Sequence, residues 1–517
     1  MTFEISDRLD RVIGARRAAF AACVLLLFAI QYTSWICDDA LITLRSVVNF
    51  VAGDGISWHA GERTQVFTHP LWFLLLSTGH ALGLEVVAAA VFGGLGLSAV
   101  ALGILFFGSG RASVWSAVAA GLMLVGSRGY VDYSTSGLEN SLSGLLLVLL
   151  LARIRSRDSH RFVPICAGLL LLNRLDALFL LLPLLWWWQR RGPARRRREL
   201  VIFGAGPAVL WMLFSTFYFG APLPNPYFAK LHAGLPRLDH LRRGAAYFAS
   251  SALYDPSTAL ALILAVFAGL HMRGLAASVG VGILLQCGYV LWVGGDFMLS
   301  RYFYLPVVAS AAAILLTPEF GDSIRQFRAL ALLALLACAA PAVVAHLDRP
   351  GRQESQEQWQ EGGRGGRMHW GVADERRWYA FEYGLYSPHR RWPRLRRNGE
   401  AALSEVRVIE GGAGLLGIAG TDRVRLLDRT GLVDPFLARL PAERDPMWRI
   451  GHAFRALPPG YVDSRLSGEN QIADPVLARL YERLDLVARA PLLDAARLRA
   501  VAALLPATFV GPRRGGS

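Results

Sequence analysis

The most informative stretch of the sequence is Ile36-Cys37-Asp38-Asp39-Ala40-Leu41-Ile42-Thr43-Leu44-Arg45, which contains two adjacent carboxylates near the N-terminus. They follow an apolar run at 18–36, which at about 20 residues is long enough to cross a bilayer. An ionised pair there is costly unless it faces water, a cavity or a partner. Asp38 and Asp39 are therefore candidate functional residues; the alternative is a helix C-terminal cap or an ion pair with Arg45. Because adjacent like charges disfavour joint ionisation, one of the two is expected to have a raised pKa.

The composition is that of a polytopic membrane protein. Of 517 residues, 54% are hydrophobic, the mean hydropathy is +0.36, and the apolar residues lie in long runs. The net charge of +15 does not indicate nucleic-acid binding, because the arginines concentrate in short loops, where they set topology. The five cysteines lie in or beside apolar runs without a CxxC pair, which argues against disulfides or a zinc site. The first run is read as a retained signal-anchor.

Eleven apolar runs are candidate membrane spans. They are 18–36, 86–109, 114–127, 138–152, 162–173, 177–188, 200–218, 256–271, 275–293, 302–317 and 329–346. Several are shorter than the roughly 20 residues that a span needs. The runs 162–173 and 177–188, on either side of 173–176, form either one broken helix or a hairpin, so the count of eleven carries an error of one or two. Segment 68–83 is also apolar, but its polar residues indicate a helix on the membrane surface.

The arginines predict the orientation of these spans. With the N-terminus in the cytoplasm and 68–83 not crossing, loop after loop on the cytoplasmic side is rich in arginine, as the positive-inside rule requires. The opposite, periplasmic face then receives the Asp38 loop and every other unusual polar motif. Residues 347–517 are predicted to form a small periplasmic α/β domain. Within it, 348–400 is rich in Arg, Gln, Gly and Trp, whereas 401–517 alternates short apolar stretches with turns and is mostly helical over 474–504.

Two motifs on that face supply candidate substrate contacts. His69 and Trp72 lie in Phe67-Thr68-His69-Pro70-Leu71-Trp72; the alternative is an interfacial tryptophan belt with an exposed histidine. Glu139 lies in Ser136-Gly137-Leu138-Glu139-Asn140 at the start of a span; the alternative is a residue at the helix N-terminus, favoured by the helix dipole. Arg45 is a further candidate contact.

Three cations are candidates for binding a phosphate group. Arg174 precedes Asp176 in Asn173-Arg174-Leu175-Asp176, where an ion pair between the two is favoured over direct phosphate contact, and Asp176 is also a candidate substrate ligand. Lys230, the one lysine of the sequence, ends Pro224-Asn225-Pro226-Tyr227-Phe228-Ala229-Lys230; the alternative for it is snorkelling. In the same motif Asn225 and Tyr227 are candidate substrate contacts.

The third cation lies in Gly294-Gly295-Asp296-Phe297-Met298-Leu299-Ser300-Arg301-Tyr302. Arg301 is placed to bind a phosphate and Asp296 to bind sugar hydroxyls, while the glycines allow close approach of the backbone. No spacing of histidines and carboxylates indicates a metal site.

The ordered set of motifs resembles a known family. The chain is similar to the GT-C membrane glycosyltransferases, and specifically to the terminal arabinofuranosyltransferases, in the motifs quoted above and in Gly61-Glu62-Arg63 and Asp428-Arg429-Thr430-Gly431-Leu432-Val433-Asp434. The resemblance implies a mostly α GT-C fold of about eleven transmembrane helices in the bacterial inner membrane. It implies a polyprenyl-phosphate sugar donor, decaprenylphosphoryl-D-arabinofuranose, and a catalytic aspartate in the first periplasmic loop, which here is Asp38 or Asp39.

The acceptor implied is a periplasmic glycan or a surface protein, and no cofactor or nucleic acid is expected. Other readings remain open at this stage. The nearest is transfer of another prenyl-phosphate sugar, such as mannose or aminoarabinose. A lipid-linked-sugar transporter should have inverted repeats and polar residues at mid-membrane, which the sequence does not display. A non-catalytic envelope assembly factor should tolerate loss of the aspartate pair.

Overall fold

The computed structural model describes residues 2–108, 113–156, 160–316, 328–347, 369–387, 405–419, 424–445 and 448–508. The chain forms two compact units, each assembled from three segments. The first unit contains 1–36, 90–207 and 242–392, and the second contains 37–89, 208–241 and 393–517. The sequence predicts a transmembrane domain over 1–346 and a soluble domain over 347–517, and this division stays a prediction.

The first unit is helical in the part of the chain described. Its helices are Thr2–Tyr32, Val86–Phe107, Val114–Gly126, Arg128–Val131, Asn140–Arg153, Phe162–Asn173, Leu178–Arg190, Arg195–Glu199, Arg237–Tyr254, Pro256–His271, Leu275–Val293, Tyr304–Leu316, Arg328–Leu347 and Glu375–Tyr383, with short 3-10 turns at Leu175–Ala177, Arg301–Phe303 and His369–Gly371 and a π turn at Leu200–Ala205. Small residues let neighbouring helices approach: a Cβ on Gly280 would overlap the carbonyl of Ala265 on the preceding helix.

The helix lengths agree in part with the predicted spans. Among the described residues four helices are long and apolar enough to cross a membrane: Ile13–Tyr32, Val86–Phe107, Arg195–Phe219 and Leu275–Val293. The pair Arg237–Tyr254 and Pro256–His271, bent by 112°, brings the number to 5 if it counts as one span. Shorter apolar helices lie at Val114–Gly126, Asn140–Arg153, Phe162–Asn173, Arg301–Leu316 and Leu333–Val344. A mostly α membrane protein is thus confirmed, while the total of about eleven spans stays a prediction.

The second unit mixes helices with one small sheet. Its helices are Asp38–Val51, Pro70–Ala81, Gly206–Phe219, Asn225–Leu231, Ala413–Ala419, Tyr461–Ser467, Pro475–Arg489 and Ala495–Leu504, with 3-10 turns at Leu437–Arg439 and Pro506–Thr508. Strands Glu405–Ile409 and Val424–Asp428 pair in parallel, with Glu405 opposite Val424. Tyr461, Tyr481, Phe436 and Val487 form part of the buried core beneath them.

Local sequence explains where these helices begin. Two acidic residues occupy the first turn of Asp38–Val51, which is the favourable end for negative charge. Proline occupies the first turn of Pro70–Ala81, so a helix within the predicted segment 68–83 is confirmed, while its place at a membrane surface stays a prediction. The Asp474 side chain accepts hydrogen bonds from the first turn of Pro475–Arg489, and the predicted helical character of 474–504 is confirmed.

Candidate functional site

The structure divides the predicted site residues between the two units. The second unit contains Asp38, Asp39, Arg45, His69, Trp72, Asn225, Tyr227 and Lys230. The first unit contains Glu139, Arg174, Asp176, Asp296 and Arg301.

Asp38 is buried at the first turn of its helix, and its carboxylate is bound by backbone amides from a distant segment. The N–H of Leu415 donates to Oδ1 at 2.7 Å, and the N–H of Gly414 donates to Oδ2 at 3.2 Å. The approach is close, because a Cβ on Gly414 would overlap the carbonyl oxygen of Asp38. Asp39, the next residue, is half-buried on the same turn.

Burial raises the pKa of Asp38 to about 7, from an ordinary value of 3.8. The amide of Leu415 opposes this shift by stabilising the carboxylate, whereas the neighbouring charge of Asp39 adds to it. The prediction that one carboxylate of the pair has a raised pKa is confirmed. A group with a pKa near neutrality can both take up and release a proton at physiological pH.

The helix that begins at Asp38 also holds the loop after it. Thr43 Oγ1 and His69 Nε2 lie 2.9 Å apart in a buried hydrogen bond. Arg45 donates from Nε to the carbonyl of Trp58 at 2.9 Å and from Nη1 to the carbonyl of Gly417. His69 and Trp72 are both buried, so the alternative of an exposed histidine is wrong.

Glu62, in the same loop, is the centre of an ion-pair network that was not predicted from the sequence. Its carboxylate lies 2.8 Å from Arg465, 2.6 Å from Arg489 and 3.1 Å from Arg425. Burial alone would raise the pKa of Glu62, but the attraction of these arginines outweighs it and holds the pKa well below its usual range. The motif Gly61-Glu62-Arg63 and the arginine-rich C-terminal segment are the signals from which this network could have been anticipated.

The helix Asn225–Leu231 is tied to the C-terminal segment by buried polar side chains. Asn225 Nδ2 donates to the carbonyls of Gly431 and Leu432 at 2.7 and 3.0 Å. Arg455, fully buried, donates to the carbonyl of Ala229 at 2.6 Å. Within the helix, the hydroxyl of Tyr227 lies 3.0 Å from His232 Nε2. Lys230, on the same helix, packs beside Gly451.

In the first unit, both predicted arginines are paired with carboxylates. Arg174 binds Asp176 with two parallel hydrogen bonds of 3.0 and 2.7 Å and lies 3.3 Å from Glu139. Arg301 lies 2.6 Å from Asp296. The favoured ion pair between Arg174 and Asp176 is therefore confirmed.

The aromatic ring of Tyr302 connects these two ion pairs. The guanidinium carbons of Arg174 and Arg301 lie 5.4 and 5.6 Å from its centroid, within the range of cation–π attraction. Glu139 directly precedes the helix Asn140–Arg153, which agrees with the alternative prediction of a residue at the helix N-terminus. Its side chain is also part of this cluster, through Arg174. Five predicted residues from three separate motifs thus meet around one tyrosine. Within the described ranges no group of three or more histidine, cysteine or acidic side chains has the arrangement of a metal site.

Two curated relatives are similar to this chain. The terminal beta-(1->2)-arabinofuranosyltransferase of Mycobacterium tuberculosis (strain H37Rv) is 29% identical over 362 residues, which cover 59% of this chain and 57% of the relative. The protein of the same name from Corynebacterium glutamicum is 34% identical over 135 residues, which cover 24% of this chain and 19% of the relative. The chain therefore spans little more than half the length of the mycobacterial protein. No family model and no solved structure matches it.

These matches and the apolar helices define a class: a multi-pass membrane protein related to glycosyltransferases. Within that class, the predicted resemblance to the terminal arabinofuranosyltransferases is confirmed by both relatives.

Proposed function

We propose that this protein is a glycosyltransferase of the bacterial inner membrane that transfers D-arabinofuranose from decaprenylphosphoryl-arabinose to a hydroxyl of a periplasmic glycan or surface protein. The sugar follows from the names of the two relatives. The observation that carries the chemistry is Asp38: a buried carboxylate with a pKa near 7, beside a second carboxylate, a few residues after the candidate span Ile13–Tyr32.

Transfer of a sugar to a hydroxyl requires a base at the acceptor oxygen. That oxygen forms a bond to the anomeric carbon, the bond from this carbon to the phosphate oxygen breaks, and the prenyl phosphate leaves. The hydroxyl proton passes to the base, which works best when its pKa lies near the working pH. Asp38 meets that condition, and Asp39 is close enough to share the role or to stabilise positive charge at the anomeric carbon.

The leaving phosphate needs a positioned cation, as in other reactions of phosphate esters. Arg301, Arg174 or Lys230 is proposed for this role. The two arginines are neutralised by Asp296, Asp176 and Glu139, so either would have to exchange a carboxylate for the phosphate. The same three carboxylates are proposed to accept hydrogen bonds from sugar hydroxyls.

The test is turnover of radiolabelled decaprenylphosphoryl-arabinose by purified protein, with Asp38→Asn, Asp39→Asn and the control Asp463→Asn, which changes an exposed carboxylate of the same unit. We expect at least one of the first two substitutions to lower the rate by about 10²- to 10⁴-fold, the usual contribution of a general base. The control should keep the wild-type rate. If the wild-type protein does not consume this donor, the proposed sugar is wrong. If both variants keep full activity, the proposed role of the aspartate pair is wrong.

A further inference from the structure

The second unit contains a small, partly open cavity, lined by both polar and apolar side chains, that the proposed reaction does not use. Its walls come from the loop after Gly61, the segment before and within Asn225–Leu231, and the C-terminal helices. Its polar lining includes Arg63, Gln65, Asn225 and Arg439, and Phe228 and Leu484 are among its apolar lining residues. Charged, amide and apolar side chains therefore all contribute to the wall of the cavity.

Arg439 lines the cavity with a positive charge that no carboxylate of the described residues neutralises. Its Nη1 donates to the carbonyl of Pro435 at 2.7 Å, and its guanidinium carbon lies 4.2 Å from the centroid of Phe228. Among the described residues it has no carboxylate partner. Burial lowers the pKa of Arg439 to about 10, so the side chain still carries its positive charge at neutral pH. A partly buried guanidinium without a carboxylate partner favours an anionic ligand.

Two more groups on the cavity wall have unused hydrogen-bonding capacity. Arg63 donates from Nη2 to the carbonyls of Val487 and Ala490, but its buried Nε has no hydrogen-bond partner within the described ranges. Asn225 uses its Nδ2 for two backbone carbonyls, and its buried Oδ1 is left without a donor in the same part of the chain. The cavity thus offers two cations for an anion and one acceptor for a hydroxyl.

We propose that this cavity binds a hydroxyl-bearing phosphate monoester, with Arg439 and Arg63 on the phosphate oxygens and Asn225 Oδ1 on a hydroxyl. A phosphate monoester carries a charge of about −1.5 to −2 at neutral pH, which matches two guanidinium groups better than a single carboxylate does. Guanidinium also binds phosphate oxygens in a bidentate manner. This site is independent of the arabinose transfer proposed above and needs no donor lipid.

The test is isothermal titration calorimetry on the full chain in detergent, with glycerol 3-phosphate, propyl phosphate and inorganic phosphate as probes. We expect saturable binding of glycerol 3-phosphate and several-fold weaker binding of propyl phosphate, which lacks the hydroxyls. Arg439→Gln should weaken binding by about 10- to 100-fold, the usual effect of losing a charged hydrogen-bonding partner. Arg499→Gln, which removes the same charge from an exposed position, should bind like wild type.

Lipid nanodiscs separate the two possible sources of the phosphate. If nanodiscs containing phosphatidic acid compete with glycerol 3-phosphate and phosphatidylcholine nanodiscs do not, the natural ligand is a lipid phosphate; without competition it is soluble. Arg63→Gln provides a second variant if Arg439→Gln does not fold. The proposal is overturned if wild type shows no saturable binding of any monoester, or if the folded variants bind as wild type does. Arabinose turnover by a protein that binds no monoester would leave the proposed function intact.

Discussion

Asp38 and Glu62 are two buried carboxylates of the same unit, 24 residues apart in sequence, and their surroundings have opposite effects on them. Asp38 is bound by two backbone amides and has its pKa raised to about 7 by burial. Glu62 is surrounded by three arginines, and its pKa lies well below the usual range despite burial. Burial alone therefore does not identify a catalytic carboxylate; the neighbouring cations decide whether it can exchange a proton.

Because Glu62 is paired with three arginines, we assign it a structural role and expect its substitution to have the largest effect on stability. Glu62→Gln leaves the buried Arg465 and the partly buried Arg425 without their carboxylate partner, and removing one member of a buried ion pair typically costs about 3–5 kcal/mol. Thermal unfolding of the purified protein measures this. Glu482→Gln, on an exposed position of the helix Pro475–Arg489, should change stability by less than about 0.5 kcal/mol. Equal melting temperatures for the two variants would contradict the role given to Glu62.

Substitution of Gly414 tests whether the amides that bind Asp38 are needed for turnover. Gly414→Ala places a methyl group against the carbonyl of Asp38 and must displace either the amide or the aspartate, at a cost of about 1–3 kcal/mol. We expect the loss to appear in the transfer rate as well as in the melting temperature. Gly96→Ala, where an added Cβ meets no atom within 4 Å, is the matched control. An unchanged rate in Gly414→Ala would show that the position of Asp38 does not matter for turnover.

The pH dependence of the rate should report Asp38 and not Glu62. If Asp38 is the base, kcat/KM rises about tenfold between pH 6 and pH 8, because its pKa of about 7 makes the ionised fraction rise over that range. Glu62, with its lowered pKa, is ionised throughout and contributes no slope. A flat profile in wild type would exclude Asp38 as the base.

The contribution of Asp38 to the free energy of unfolding should fall as the pH rises, whereas its contribution to the rate should rise. A carboxylate whose pKa is higher in the folded than in the unfolded protein binds its proton more tightly when folded, so its contribution declines as pH rises from about 4 to about 7. Melting temperatures of Asp38→Asn should therefore fall less steeply over this range than those of wild type. For Glu62 the contribution is present above its unfolded pKa, about 4.3, and is lost only below it.

The smallest effect is expected from the bond between Thr43 and His69. Thr43→Val removes the hydroxyl but keeps the shape, at a cost of about 0.5–1.5 kcal/mol for one buried hydrogen bond. Melting temperature and rate should both change slightly. A rate loss much larger than the stability loss would instead give His69 a direct part in catalysis.

Local features of the site were predictable from sequence, and distant partners were not. The position of Asp38 after the first helix, the pairing of Arg174 with Asp176 and the break at 173–176 each depend on residues close together in the chain. The two amides that bind Asp38 lie 376 and 377 residues away from it, and Arg465, one of the three arginines that bind Glu62, lies 403 residues away. Hydrophobic periodicity carries no information on such contacts, because they depend on how separate segments pack. Asp296 and Arg301 are only five residues apart, but they were predicted as two independent ligands instead of one ion pair, because the irregular segment between them has no periodicity that would place their side chains together.

The three-segment construction of the second unit has a consequence for biosynthesis. Arg465 is translated 403 residues after Glu62, which at ribosomal speeds of about 5–20 residues per second is a delay on the order of 20–80 s. During that interval Asp38 and Glu62 have left the ribosome but lack the partners that set their ionisation. A nascent chain interrupted before Gly414 would contain both Asp38 and Asp39 and would still lack the amides that bind Asp38 and the arginines that bind Glu62.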